Sequence, residues 1–216
     1  MKDIIIIGAG DIGREVAALL KRINAVKPTW NLVGFADDDI ENKPKGSRNE
    51  YGEVLGTVAE INAVTEPVNV VIAFGSAKTV QAVRSRLTNT LIHFPNIIAP
   101  EAMISDSENY KMGQGNVLFA FSSLGCNARI GDFNILINYS SIGHDVNAGD
   151  YNVLMTSAHI GGGCRIGSVN TFGMGSVVKS GISVNNYTTL GDGSVLLEAS
   201  QDGGTYMGNP AERLRK

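Results

Sequence analysis

From Asn116 the chain can be written in sixes: NVLFAF SSLGCN ARIGDF NILINY SSIGHD VNAGDY NVLMTS AHIGGG CRIGSV NTFGMG SVVKSG ISVNNY TTLGDG SVLLEA, closing at Ala199. The third column, from Leu118 and Leu124 to Leu190 and Leu196, holds fourteen apolar residues with no slip of register. The fourth is Gly in eight of the fourteen units, and the first is small except at Val146 and Ile182. No helix has this period. One aliphatic anchor per six, with small neighbours, makes a short strand followed by a tight corner, and three such strands close one coil of a parallel β-helix with the anchors stacked inside. The fourth-column glycines are expected at the corners, where a positive φ costs them nothing.

Residues 1–95 obey other rules. Ile4 to Ile7 is a β-branched run suited to a strand buried on both faces. Gly8-Ala9-Gly10-Asp11-Ile12-Gly13 follows, and then Ile12, Val16, Leu19, Leu20 and Ile23 fall at helical spacing. Strands are expected at 32–36, 68–74 and 91–94, helices at 57–64 and 77–87, and a polar loop over 40–51. That alternation makes a small Rossmann-like α/β subdomain with a parallel sheet. A junction is expected over 96–115, the coil over 116–199 and a tail over 200–216.

The remaining arithmetic narrows the class. The 216 residues are 43% apolar, 18% charged and 6% aromatic, with 26 glycines. The net charge of −3 offers no field for a nucleic-acid backbone. No apolar run approaches a membrane span, and the four isoleucines near the N-terminus are too short for a signal sequence, so a cytoplasmic protein is expected. Two cysteines, Cys126 and Cys164, make no disulfide framework.

The repeat, the GxGxxG opening, Phe35-x-Asp37-Asp38, the block Ile142-Gly143-His144-Asp145 and the ending Met207-Gly208-Asn209-Pro210-Ala211-Glu212-Arg213 together resemble the hexapeptide-repeat sugar O-/N-acetyltransferases. That family includes the sialic acid O-acetyltransferases and the bacterial nucleotide-aminosugar N-acetyltransferases, and the resemblance covers essentially the whole chain. It implies a left-handed β-helix, acetyl-CoA as cosubstrate, a sugar amine or hydroxyl as acceptor, and a homotrimer with active sites in the clefts between β-helices. It also implies a role in polysaccharide biosynthesis, and an N-terminal half that holds the nucleotide of a nucleotide-sugar.

His144 is the leading catalytic candidate. Stepping by 18, its column reads Cys126, His144, Gly162, Ser180, one titratable ring among small neighbours. Imidazole titrates near neutrality and suits a base for acyl transfer, and the resemblance places the family's catalytic histidine here. Asp145 would orient it; an ordinary turn aspartate is the plain alternative. Some relatives carry a second histidine nine residues on, where this chain has Val153. His159, out of register with that column, and His93 read as structural or intersubunit. With only two histidines in the repeat, a three-ligand zinc site lacks a ligand, and no metal is expected.

Gly8, Gly10 and Gly13 are expected to admit phosphates to a helix N-terminus. Asp37 would accept hydrogen bonds from ribose or base, with Asp38 as runner-up, and Gly75 follows a strand where a ligand passes. Gly162, Gly173, Gly175 and Ser180 leave space for a pantetheine arm, and backbone amides there would hold the thioester oxygen. Arg213, Arg215 and Lys216 could meet CoA phosphates, though a solvated basic tail explains them as well. Two other classes stay open: an acyltransferase using another acyl-CoA or a non-sugar acceptor, and a non-catalytic nucleotide-binding scaffold.

Overall fold

The computed structural model describes residues 1–214; Arg215 and Lys216 lie outside the described residues. Two compact units are present, Met1–Gly75 with Thr79–Pro100, and Ser76–Lys78 with Glu101 onward.

The first unit runs β1 (Lys2–Ile7), α1 (Asp11–Val26), β2 (Trp30–Ala36), β3 (Arg48–Asn49), β4 (Gly52–Gly56), α2 (Val58–Asn62), β5 (Val68–Ile72), α3 (Ala77–Arg86) and β6 (Ile92–His93). The sheet order is β3-β4-β2-β1-β5-β6. β1 lies centrally, parallel to both β2 and β5, and Ile4 to Ile7 are buried on both faces. The chain thus leaves β1 in opposite directions across the sheet, which opens a crevice at the carboxyl ends of β1 and β5. α1 buries Val16, Ala17, Leu19 and Leu20. α2 begins with a capping box in which Thr57 and Glu60 satisfy each other's backbone amides. β3 and β4 fall partly within the stretch expected to be a polar loop. They form an antiparallel hairpin in which β4 pairs parallel with β2 and β3 becomes the edge of the sheet.

The second unit is a parallel β-helix of two-residue strands on three faces. On one face Met103–Ile104, Ser123–Leu124, Ser141–Ile142, His159–Ile160, Val177–Val178 and Val195–Leu196 stack in order. On the next, Lys111–Met112 is followed by Arg129–Ile130, Asn147–Ala148, Arg165–Ile166 and Ser183–Val184. The third carries Val117–Leu118 through Thr189–Leu190 and finishes with Thr205–Met207 and the antiparallel Glu212–Arg213. All fourteen anchors are at most 5% exposed. The first column points inward too. Along one corner Asn116, Asn134, Asn152 and Asn170 form a ladder, each side-chain oxygen accepting the backbone N–H one coil on, at 2.7–3.1 Å. This pairs buried donors that would otherwise be costly.

The glycines do a different job from the one expected. Positive φ belongs to the sixth column, thirteen consecutive corners from Phe121 to Gly193, nine of them not glycine. Left-handed backbone costs a side-chain-bearing residue about 1–2 kcal/mol. Stacked rings (Phe121 on Tyr139, Phe133 on Tyr151) and hydrogen bonds such as Tyr151 N to Asp132 O oppose that cost. The fourth-column glycines are needed because the next coil passes too close. A Cβ on Gly143 would lie 2.6 Å from Gly162 N, and one on Gly173 2.6 Å from Asp192 N.

Candidate active site

His144 and Asp145 occupy the corner between the face of Ser141–Ile142 and the face of Asn147–Ala148. Asp145 is one of the left-handed corner residues, φ 57°, and its N–H bonds Cys126 O at 2.9 Å. That backbone turns the carboxylate back toward its neighbour, so that Asp145 Oδ2 lies 2.8 Å from His144 Nδ1. Asn127, one coil earlier in the same column, donates to Asp145 Oδ1 at 3.1 Å. The His144 contact, and after it the Asn127 amide, hold the Asp145 carboxyl below the usual carboxylate range. An ionised carboxylate only accepts, so Nδ1 donates to it, and in the neutral form of the ring the lone pair lies on Nε2.

Nε2 reaches over the next coil. A Cβ on Gly162 would stand 2.4 Å from it, so the ring occupies the space a side chain would fill. Gly163 N bonds His144 O and Gly181 N bonds Gly162 O, which fixes the rungs on either side. The Gly162 N–H donates no hydrogen bond among the described residues. Both His144 and Asp145 are open, with side chains 71% and 57% exposed. The His144–Asp145 pair, an amide with no acceptor among the described residues and a small-residue shelf, with Ser180 one coil on, therefore stand in one line.

The other expected cofactor contacts separate. Gly173 and Gly175 lie on the neighbouring corner line, with Phe121 and Tyr139, and both of their amides are used, by Leu190 O and Thr156 O. His159 shares a 2.7 Å hydrogen bond with Ser141 Oγ, and Val153 is wholly buried. Cys126 is exposed and Cys164 buried, and both are free. Arg213 bonds Gln201. Among the described residues no group of three or more His, Cys, Asp or Glu could hold a metal ion.

In the first unit the glycine loop has the expected geometry. Gly8 has φ +106°, and a Cβ on Gly13 would fall 1.8 Å from Gly8 O, so only glycine lets the helix begin this close to the strand. A Cβ on Gly10 would come no closer than 3.9 Å to Lys43 Nζ, and one on Gly75 no closer than 3.8 Å to Ile12 Cγ1, so space is open beside both. The acidic residues are engaged within the protein. Asp37 is 6% exposed and takes Ala9 N (2.8 Å) and Lys43 Nζ (3.0 Å) on Oδ2 and Asp39 N (3.0 Å) on Oδ1. Burial pushes its carboxyl up, but these donors outweigh burial and the net shift is downward. Asp38 accepts Val58 N at the start of α2 and pairs with Arg86.

Sequence reading missed Asn127 and Lys43. Asn127 was accessible, since it lies 18 residues before Asp145 in a chain whose coils repeat every 18; nothing in the sequence marks Lys43.

Residues 3–90 match the family described as the PglD N-terminal domain. No curated protein sequence gives a significant match. Among solved structures, the chain resembles the acetyltransferase domain of PglB from Neisseria gonorrhoeae at 26% identity, with TM-score 0.88, covering 99% of this chain and 100% of that one. The same domain in complex with acetyl coenzyme A gives 27%, TM-score 0.87 and 99% of both chains. PerB from Caulobacter crescentus, in complex with CoA and GDP-perosamine, is 20% identical, with TM-score 0.84 over 100% of this chain and 98% of that one, and this likeness shows the fold alone. Residues 3–90 thus carry a PglD-type N-terminal domain, and over its whole length, an α/β unit followed by a left-handed β-helix, the chain is similar to the acetyltransferase domain of PglB.

Proposed function

We propose that this acyltransferase moves an acetyl group from acetyl-CoA to an amine or hydroxyl of a nucleotide-linked sugar, directly within a ternary complex. The observation that carries the reading is the exposed imidazole whose Nδ1 is tied to Asp145 and whose Nε2 overhangs Gly162.

The acceptor nitrogen or oxygen attacks the thioester carbonyl and gives its proton to Nε2. Asp145 holds the ring in the tautomer that leaves Nε2 basic and stabilises the imidazolium that forms. The oxyanion of the tetrahedral intermediate takes the free Gly162 N–H. Collapse breaks the carbon–sulfur bond, and the imidazolium returns its proton to the departing thiolate. No acetyl-enzyme is needed.

Residues 1–95 would hold the nucleotide, with the loop from Gly8 to Gly13 facing it, and residues 116–199 would carry the transfer. Asp37 then acts by shaping that loop rather than by touching the ligand. Trimer formation would place the active sites in clefts between neighbouring β-helices. The PglB domain, at 27% identity, was solved with acetyl coenzyme A, which supports the choice of donor. Among the described residues no helix is long and apolar enough to cross a membrane, and a cytoplasmic setting fits a nucleotide-sugar substrate.

The test is incubation with acetyl-CoA and a panel of nucleotide-linked aminosugars, following thiol release and product mass. Release of CoA with an acetylated sugar product is expected. Acetyl-CoA binding with no thiol release for any acceptor would replace this reading with the scaffold.

A further inference from the structure

The face that begins at the Asp145 corner carries an outward column Lys111, Arg129, Asn147, Arg165, Ser183, paired rung to rung. Three of its five residues are cations, on a chain of net charge −3. Arg129 and Arg165 are exposed and make no ion pair or hydrogen bond among the described residues. They flank Asn147 two rungs apart, about 10 Å along the coil axis. Together with Asn127, Asp145, Asn147 and Gly163 they line a polar groove of about 440 Å³. The groove's one carboxylate is already engaged by His144 and Asn127. At the far edge of the face Asp132 and Asp150 turn their Oδ1 atoms to the backbone amides of Gln114 and Asp132, and no salt bridge joins either to an arginine.

We infer that Arg129 and Arg165 form a phosphate-gripping subsite beside the His144–Asp145 pair, which holds a phosphate ester or diphosphate of a substrate while its other end reaches the imidazole. This rests on the proposed acetyl transfer. A guanidinium presents a planar fork that pairs two phosphate oxygens at once, and side chains of this length on rungs 10 Å apart converge on a single diphosphate. Anchoring a non-reacting part of the substrate this near the base fixes the reacting end. Two sources supply the same chemistry, the phosphates of CoA and the diphosphate of the nucleotide-sugar.

The experiment compares the intact protein with Arg129→Ala, Arg165→Ala and the double variant, by calorimetric titration of CoA, pantetheine and a nucleoside diphosphate at low and high salt. In parallel, KM is measured for acetyl-CoA, acetyl-pantetheine and the acceptor. The subsite predicts at least a tenfold weaker Kd for one phosphorylated ligand in the double variant, a shallower salt dependence, unchanged pantetheine binding and a retained thermal transition. Loss confined to CoA assigns the donor, and loss confined to the nucleoside diphosphate assigns the acceptor. Equal binding of both by the double variant and the parent overturns the inference, as does failure of the parent to bind either. Because the titrations need no turnover, absence of acetyl transfer would sink the proposed function and leave this result to stand separately.

Discussion

The corner at His144 and the loop after β1 each hold an aspartate whose carboxyl is driven below its ordinary range, and the two are put to opposite uses. Asp37 is buried, and both its oxygens are occupied by backbone amides and Lys43, so its charge is spent on shaping the Gly8–Gly13 turn. Asp145 is open to solvent and uses one oxygen to orient the exposed His144 ring. A lowered pKa thus marks a structural clamp in one place and the proposed partner of a catalytic ring in the other; what separates them is whether the groups that lower it have anything left to offer a ligand. His144 keeps Nε2 free, whereas among Asp37's partners the two amides are fully committed.

The difference can be broken at its strongest point by Gly162→Ala. The added Cβ meets only the tip of the imidazole, so the coil should keep its stability while the ring is displaced. Misplacement of a reacting group by about 1 Å costs roughly 10²-fold, and a fall in kcat of about that size with an unchanged melting temperature is expected. A variant with parental kcat would show that the ring's position over Gly162 does not matter.

The two kinds of glycine in the coil give a second, structural contrast. Gly173→Ala forces a Cβ against the backbone of the next coil and should destabilise by about 1–3 kcal/mol in denaturant unfolding. Gly175→Ala faces open space at φ +63° and should cost about 1 kcal/mol. A reversed order would mean that corner conformation, rather than the close approach of coils, dictates the glycine pattern.

The smallest effect concerns Asp37. Its pKa is lower folded than unfolded, so its contribution is present above the unfolded value of about 3.9 and is lost as pH falls through the lower folded value. Asp37→Asn should flatten the acid limb of the stability curve more than Asp145→Asn, whose lowered carboxyl is exposed and screened by solvent and whose main effect should be a lower kcat.

Much of this was legible in the chain, for reasons that can be named. The period of six survives because every corner consumes the same number of residues, and that alone placed the anchors and His144 at a corner. Where the count changes the signal fails. Met103 pairs with Ser123, twenty residues on, while Lys111 pairs with Arg129, eighteen on, so the rungs within 103–112 are hidden by two extra residues. β4 is short and glycine-flanked, and is a strand only because β2 offers it an edge. The left-handed conformations of Phe121 and Tyr139 contradict local preference and are imposed by the stacking of coils. That Asp37 faces the protein depends on three-dimensional neighbours that no spacing in residues 1–95 supplies, whereas the different corners of Gly162 and Gly173 follow from the count of eighteen, since eleven residues separate them.

The most direct test of the central claim is turnover by His144→Ala alongside acetyl-CoA binding. The account predicts an intact fold, donor affinity within a few-fold of the parent and a rate at least ~10²-fold lower. Near-parental turnover with the donor bound would contradict it.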